Sequence, residues 1–301
     1  MPGPVTDVHV RPQSALPRGP VTDVHVHVQP WDMIRPAVLA AMRRGRDDLA
    51  DIERCFADPV ALLGHMDREG VERMVLINYE SPDVMGFTTE TNDWILAYTA
   101  KHRDRLLPCV GINPRFETDV KGRAERLADG GARLFKVHGP HMLVSPNSYL
   151  DEHPGLADLY AVASARRIPV MFHTGTSIFK GARTKHGDPL QLEDVGVDFP
   201  DLDVIVAHGG RPFWTEQAFF LLRRFPRFHL DLSGIPPNRI LEWFPRLDEI
   251  ADRVFFGTDW PSPGIPSIAK NLAAIRALPL APELIEKFLS SNALRVFRPP
   301  S

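Results

Sequence analysis

The chain carries only two cysteines, Cys55 and Cys109. Their spacing fits neither a zinc knuckle nor a redox pair, and two thiols do not make a disulfide framework, so a reducing cytoplasm is the expected compartment. Basic runs are also missing. With a formal net charge of −3, nucleic acid and anionic membrane surfaces are not expected partners. No apolar run approaches the roughly 20 residues of a membrane span, and the N-terminal stretch has no apolar signal-peptide core. No glycine-rich turn follows the first apolar run, which leaves a doubly wound open sheet as the runner-up architecture. Gly175-Thr176-Ser177 lacks the second glycine of a nucleophile elbow.

What is present is a repeat and a rhythm. The octapeptide GPVTDVHV occurs at positions 3–10 and again at 19–26. The first copy runs on into Arg11, the second into His27, so only the second supplies His25-Val26-His27. Residues 1–19 therefore read as a redundant extension and 20–301 as one domain. Eight short runs rich in Val, Ile, Leu and Phe read as strands buried on both faces. They lie at 21–28, 72–77, 106–112, 133–138, 168–173, 203–208, 228–232 and 253–257. Amphipathic helices are expected between them, at 59–69, 91–102, 119–128, 156–166, 216–225, 237–247 and 268–277, with a last helical segment at 281–297. Asp119 and Asn92 serve as start signals, Gly70 and Gly130-Gly131 as stops. Eight alternating units predict a parallel (β/α)8 barrel. The loops after strands 1 and 5, residues 29–57 and 174–197, are long, and both leave the C-terminal ends of their strands, where barrel enzymes place substrate contacts.

The strand ends carry the chemistry. Strand 1 ends in His25-x-His27, strand 4 in Lys136-x-His138, strand 5 in His173, strand 6 in His208, and strand 8 in Asp259 after Gly257-Thr258. Residues i and i+2 of a strand share a face, so His25 and His27 enter one mouth together. Closure of the barrel brings further imidazoles and a carboxylate there, a donor set that suits Zn2+ or another divalent first-row metal. Asp259 before Trp260-Pro261 also has the look of a helix N-cap. Lys180, Arg183, Lys185 and Arg211 would give the mouth a positive rim, and Trp31, Phe87, Trp214 and Trp260 an apolar wall.

The set DVHVH (23–27), FKVHGP (135–140), FHTG (172–175), AHGG (207–210), DLSG (231–234) and FFGTDWP (256–262) resembles the amidohydrolase superfamily, in its amidohydrolase 2 branch. The resemblance spans about residues 21 to 297 and implies a TIM-barrel enzyme with one divalent ion, most simply Zn2+. It implies that His25, His27, His173 and Asp259 bind the metal, with His208 and Asp259 as the acid/base pair. Lys136 stands where some binuclear members carry a carbamylated lysine. In the one-metal branch Lys136 and His138 are expected to meet an anionic part of the substrate, with Arg211 and Arg183 beside them. The expected activity is hydrolysis of a small ester, lactone or amide by metal-activated water. Non-oxidative decarboxylation of an aromatic or muconate-type acid is the alternative, and a non-catalytic metal-binding barrel a third. No arginine stands out as dedicated to a carboxylate, which tilts the expectation to the hydrolase. The resemblance also implies a homodimer.

Overall fold

The computed structural model describes residues 19–265 and 267–298. The first GPVTDVHV copy and the extension call at 1–18 lie outside them. Eight strands form one all-parallel sheet in sequence order. They are β1 (Thr22–Val26), β2 (Arg73–Leu76), β3 (Leu106–Val110), β4 (Leu134–Val137), β5 (Val170–His173), β6 (Val204–Ala207), β7 (Phe228–Asp231) and β8 (Val254–Phe255). All eight sit inside the expected runs, and nearly every strand residue is buried, as helices on the outside and packed side chains on the inside require. The ring closes between β1 and the segment after β8. Val24 N–H donates to Phe256 O at 3.0 Å, His27 N–H to Trp260 O at 2.7 Å and Asp259 N–H to His25 O at 2.8 Å. The result is a TIM barrel.

Helices fall where the apolar period put them, with instructive exceptions. Asp119 caps Val120–Asp129 by accepting from Gly122 N–H, and Gly70 ends Pro59–Glu69 in the left-handed region at φ 77°. Asn92 caps nothing. It lies inside Glu90–Thr99, buried, and spends its amide on Glu80 and the Gly111 carbonyl. The expected helix 237–247 is shorter, Ile240–Trp243 after one 3-10 turn. Pro245 is the cause, because the residue before a proline is pushed out of the helical region, and Phe244 sits at φ −128°, ψ 69°.

The loop at 29–57 holds two helices, Pro36–Arg43 and Leu49–Ala57. Between them Arg46 holds Asp48 at 2.6 Å and donates to the carbonyls of Pro261 and Ile265. This ties the β1 loop to the β8 loop over the barrel's C-terminal mouth.

Candidate metal centre and active site

The mouth is assembled from strand ends that only closure brings together. In β1 the pairing to β2 shifts register between Asp23 and Val26, a bulge of the kind that re-aims side chains. His25 and His27 end with ring centroids 5.1 Å apart. His25 is fully buried, and its Nδ1 lies 2.6 Å from Asp231 Oδ2 at the end of β7. A carboxylate accepts, so Nδ1 carries the hydrogen and the lone pair is left on Nε2. That Nε2 is buried and has no hydrogen-bond partner. Ser233 braces the arrangement, its hydroxyl 2.7 Å from Asp231 Oδ2 and its N–H on Oδ1. Gly257 leaves room for it, since a Cβ there would overlap the Asp231 carboxylate.

His208 follows the same logic. Its Nδ1 lies 2.7 Å from the Ser233 carbonyl; a carbonyl only accepts, so Nε2 is the free base. Asp259 Oδ1 lies 3.0 Å from His27 Nε2 and 3.6 Å from His25 Nε2. The ligating atoms of His25, His208 and Asp259 all lie within 4.8 Å of one another. His208 and Asp259 both hold the left-handed backbone, at φ 67° and 68°, which costs on the order of 1–3 kcal/mol for a residue with a side chain. Asp23 helps impose it: its carboxylate takes the N–H and hydroxyl of Thr258, fastening the β8 turn under β1.

Burial sets the charge states. Desolvation lowers the pKa of His25, His173 and His208 well below the ordinary histidine value, with the Lys136 and Arg211 charges adding to it. Desolvation raises Asp231 to about 6 against its Ser233 hydrogen bonds. For Asp259 burial pushes upward, but the His27 hydrogen bond and nearby positive charges outweigh it, and the carboxyl is held below its ordinary value. His25 and His208 are thus neutral imidazoles beside an ionised carboxylate, each with an Nε2 lone pair that no donor claims. That is what a divalent ion requires, and these residues fit one.

The other expected site residues are placed as follows. His173 stands outside the tightest group, its Nε2 3.2 Å from the Thr176 carbonyl and its ring stacked on His138 at 3.9 Å. His27 remains beside it through Asp259. Lys136 is wholly buried, with no hydrogen-bond partner for Nζ, and desolvation lowers it to about 8. Arg211 lines the cavity, its guanidinium 3.8 Å from Asp259 Oδ2 and seated in the space that Gly234 leaves. Arg183 is exposed and does not line the cavity, nor do Lys180 and Lys185. The four aromatic candidates pack elsewhere: Trp260 on His65, Phe87 against Tyr79, Trp31 against Phe56, Trp214 against Phe213.

The cavity is about 130 Å3 and joins a larger one of about 420 Å3 at Arg211 and Asp259. Its wall also holds Tyr79 and His141, which the sequence did not mark, and Ser177 of the Gly175-Thr176-Ser177 turn. His141 was legible only through its i+3 spacing from His138 on the four-residue helix Gly139–Met142.

An eightfold barrel with inward-facing histidines and a carboxylate at its C-terminal rim defines the class of TIM-barrel enzymes with a metal-binding mouth. A family model described as amidohydrolase matches residues 22–298, and the chain belongs to that family, which is enzymatic and metal-dependent. Three solved structures share the fold. An uncharacterised TIM-barrel protein from Bordetella bronchiseptica is 21% identical, with 92% of this chain and 97% of that one covered, at TM-score 0.72. A 2,6-dihydroxybenzoate decarboxylase from Rhizobium is 19% identical over 93% and 99%, at TM-score 0.67. A 5-carboxyvanillate decarboxylase from Novosphingobium aromaticivorans, complexed with manganese and 4-hydroxy-3-methoxy-5-nitrobenzoic acid, is 16% identical over 93% and 96%, at TM-score 0.59. No curated protein matches the sequence. Among the described residues, no helix is long and apolar enough to cross a membrane.

Proposed function

We propose that the protein is a metal-dependent, non-oxidative decarboxylase of a small hydroxylated aromatic acid. The observation that carries this reading is Arg211. From the sequence, hydrolysis is the first expectation, because the motif set looks more like hydrolase-type members of the family and no arginine stands out as dedicated to a carboxylate. Arg211, already expected beside Lys136 and His138, supports this reading: its guanidinium lines the cavity 3.8 Å from Asp259 Oδ2. A planar fork of donors suits a carboxylate in two-point contact. The structural likeness to decarboxylases supports the same choice.

When bound by His25, His27, His208 and Asp259, with His173 adjacent, a divalent ion would supply Lewis-acid polarisation of a substrate oxygen. Zn2+ and Mn2+ both suit these donors. Arg211 holds the carboxylate against the ring plane. Asp259 takes the proton of the ring hydroxyl on Oδ2, the oxygen not engaged with His27, and delivers it to the carbon that bears the carboxylate. The bond from that carbon to the carboxyl group breaks, its electron pair returns to the ring, and CO2 leaves. The phenolate then takes one proton from water, so the sum is one acid anion and one proton giving the phenol and CO2. Asp259, held ionised, keeps His27 and Arg211 in place.

Hydrolysis remains the second reading, supported by Asp259, a carboxylate placed among imidazoles as a base for water. One experiment separates the two. The metal-loaded protein is given ortho-hydroxybenzoates and, separately, aryl esters and lactones. In D2O, CO2 release with deuterium at the vacated ring carbon supports decarboxylation. Ester or lactone turnover without CO2 from any acid overturns it.

A further inference from the structure

The part of the cavity wall formed by Tyr79, His141 and Ser177 is built as a second recognition element. Ser177 Oγ lies 2.7 Å from His141 Nε2, and His141 Nδ1 lies 2.8 Å from the Tyr79 hydroxyl. Phe179 N–H donates to Ser177 Oγ at 3.4 Å. The His141 ring is stacked on His138 at 3.5 Å, with an interplanar angle of 12°, and His138 is in turn stacked on His173. Tyr79 and His141 are buried, while Ser177 is half-buried where the β5 loop meets the cavity.

Serine, histidine and an orienting third group at these distances have the outline of a nucleophile with its base. The chemistry of the third member decides otherwise. A carboxylate stabilises the imidazolium that forms when a base takes the serine proton; a neutral phenol does not, and His141 has no carboxylate partner among the described residues. What the chain Tyr79–His141–Ser177 does offer is an uncharged donor and acceptor of fixed direction. With His141 Nε2–H pointing at Ser177, the serine proton faces the cavity; in the other tautomer its lone pair does.

We infer that Ser177, held by His141 and Tyr79, reads an uncharged hydroxyl on the substrate ring. The inference rests on the decarboxylase reading for the placement of the substrate carboxylate. Among the described residues lining the cavity, Arg211 is the one permanent cation, so an acid enters with its carboxylate at Arg211; the guanidinium reaches the Thr176 carbonyl at 3.5 Å, which puts Ser177 next along the same wall. The cavity of about 130 Å3 is near the 150 Å3 that takes one benzene ring. Ser177 is thus a specificity-determining contact, and His141 and Tyr79 are positioning residues.

The test measures dissociation constants of 2-hydroxybenzoate, 2,4-dihydroxybenzoate and 2,5-dihydroxybenzoate by calorimetry on the metal-loaded protein. The wild type is expected to bind one of the two dihydroxy acids about tenfold tighter than 2-hydroxybenzoate, the size of one hydrogen bond. Ser177→Ala removes that preference and leaves the 2-hydroxybenzoate constant unchanged. Tyr79→Phe weakens it, and Ser177→Thr restores it. A preference that survives Ser177→Ala, no binding of any of the three acids by wild type, or stoichiometric labelling of Ser177 by diisopropyl fluorophosphate overturns the inference. A Ser177-dependent preference with no CO2 release removes the decarboxylase reading and leaves this one standing. CO2 release with no Ser177-dependent preference does the reverse.

Discussion

His25 and Asp231 stand 206 residues apart in sequence and 2.6 Å apart in the fold. The contact fixes which imidazole nitrogen is free, and a metal-binding histidine whose other nitrogen is claimed by a carboxylate is both oriented and more basic. Asp231→Asn should therefore fold normally and lose affinity for Zn2+ or Mn2+ by about 10–100-fold, the usual cost of removing such a partner. Competition with a chromogenic chelator measures it. Unchanged affinity would show that the contact is only structural.

Gly257 makes the same point through space. Its missing Cβ is where the Asp231 carboxylate and the His25 side chain approach. Gly257→Ala should displace both and lower metal content more than it lowers the melting temperature. A variant with full metal content would show that the mouth relaxes around the methyl group.

Arg211→Met should raise the KM for aromatic acids by at least tenfold, because a charge-assisted contact is worth about 1.5–3 kcal/mol. Metal content should stay unchanged. Loss of the metal together with substrate affinity would instead make Arg211 a brace for Asp259.

Glu80 gives a pH dependence away from the metal. It is buried, accepts from Asn92 Nδ2 and Asn113 N–H, and desolvation raises it to about 7 against those hydrogen bonds. A carboxyl whose folded pKa lies above its unfolded value contributes stability that is present below the unfolded pKa and lost as pH rises through the folded one. The melting temperature of the wild type relative to Glu80→Gln should therefore fall between pH 5 and pH 8. A constant difference across that range would contradict the raised pKa.

The barrel was legible in the sequence because parallel strands buried on both faces are written as uninterrupted apolar runs, and the polar residue ending each run marks the rim. His25, His27, His173, His208 and Asp259 stood out for that reason. The partners that orient them did not. DLSG entered only as part of the motif set, and nothing local in it says that its carboxylate meets β1. The Tyr79–His141–Ser177 chain joins the ends of β2, β4 and β5, which become neighbours only when the ring is built. The left-handed backbone of His208 and Asp259 was hidden because neither is a glycine. The helices at 36–43 and 49–57 were missed because the charged, glycine-bearing stretch 43–48 between them reads as loop.

The account stands on one metal centre shared by His25, His208 and Asp259 with His27 beside them. Elemental analysis after purification in Mn2+ or Zn2+ measures it directly, on the wild type and on His25→Ala, Asp259→Ala and the surface control Arg183→Ala. One equivalent of metal in the wild type and in Arg183→Ala, and less than a tenth of that in the other two, is the expected result. Equal metal in all four proteins, or none in the wild type, would contradict it.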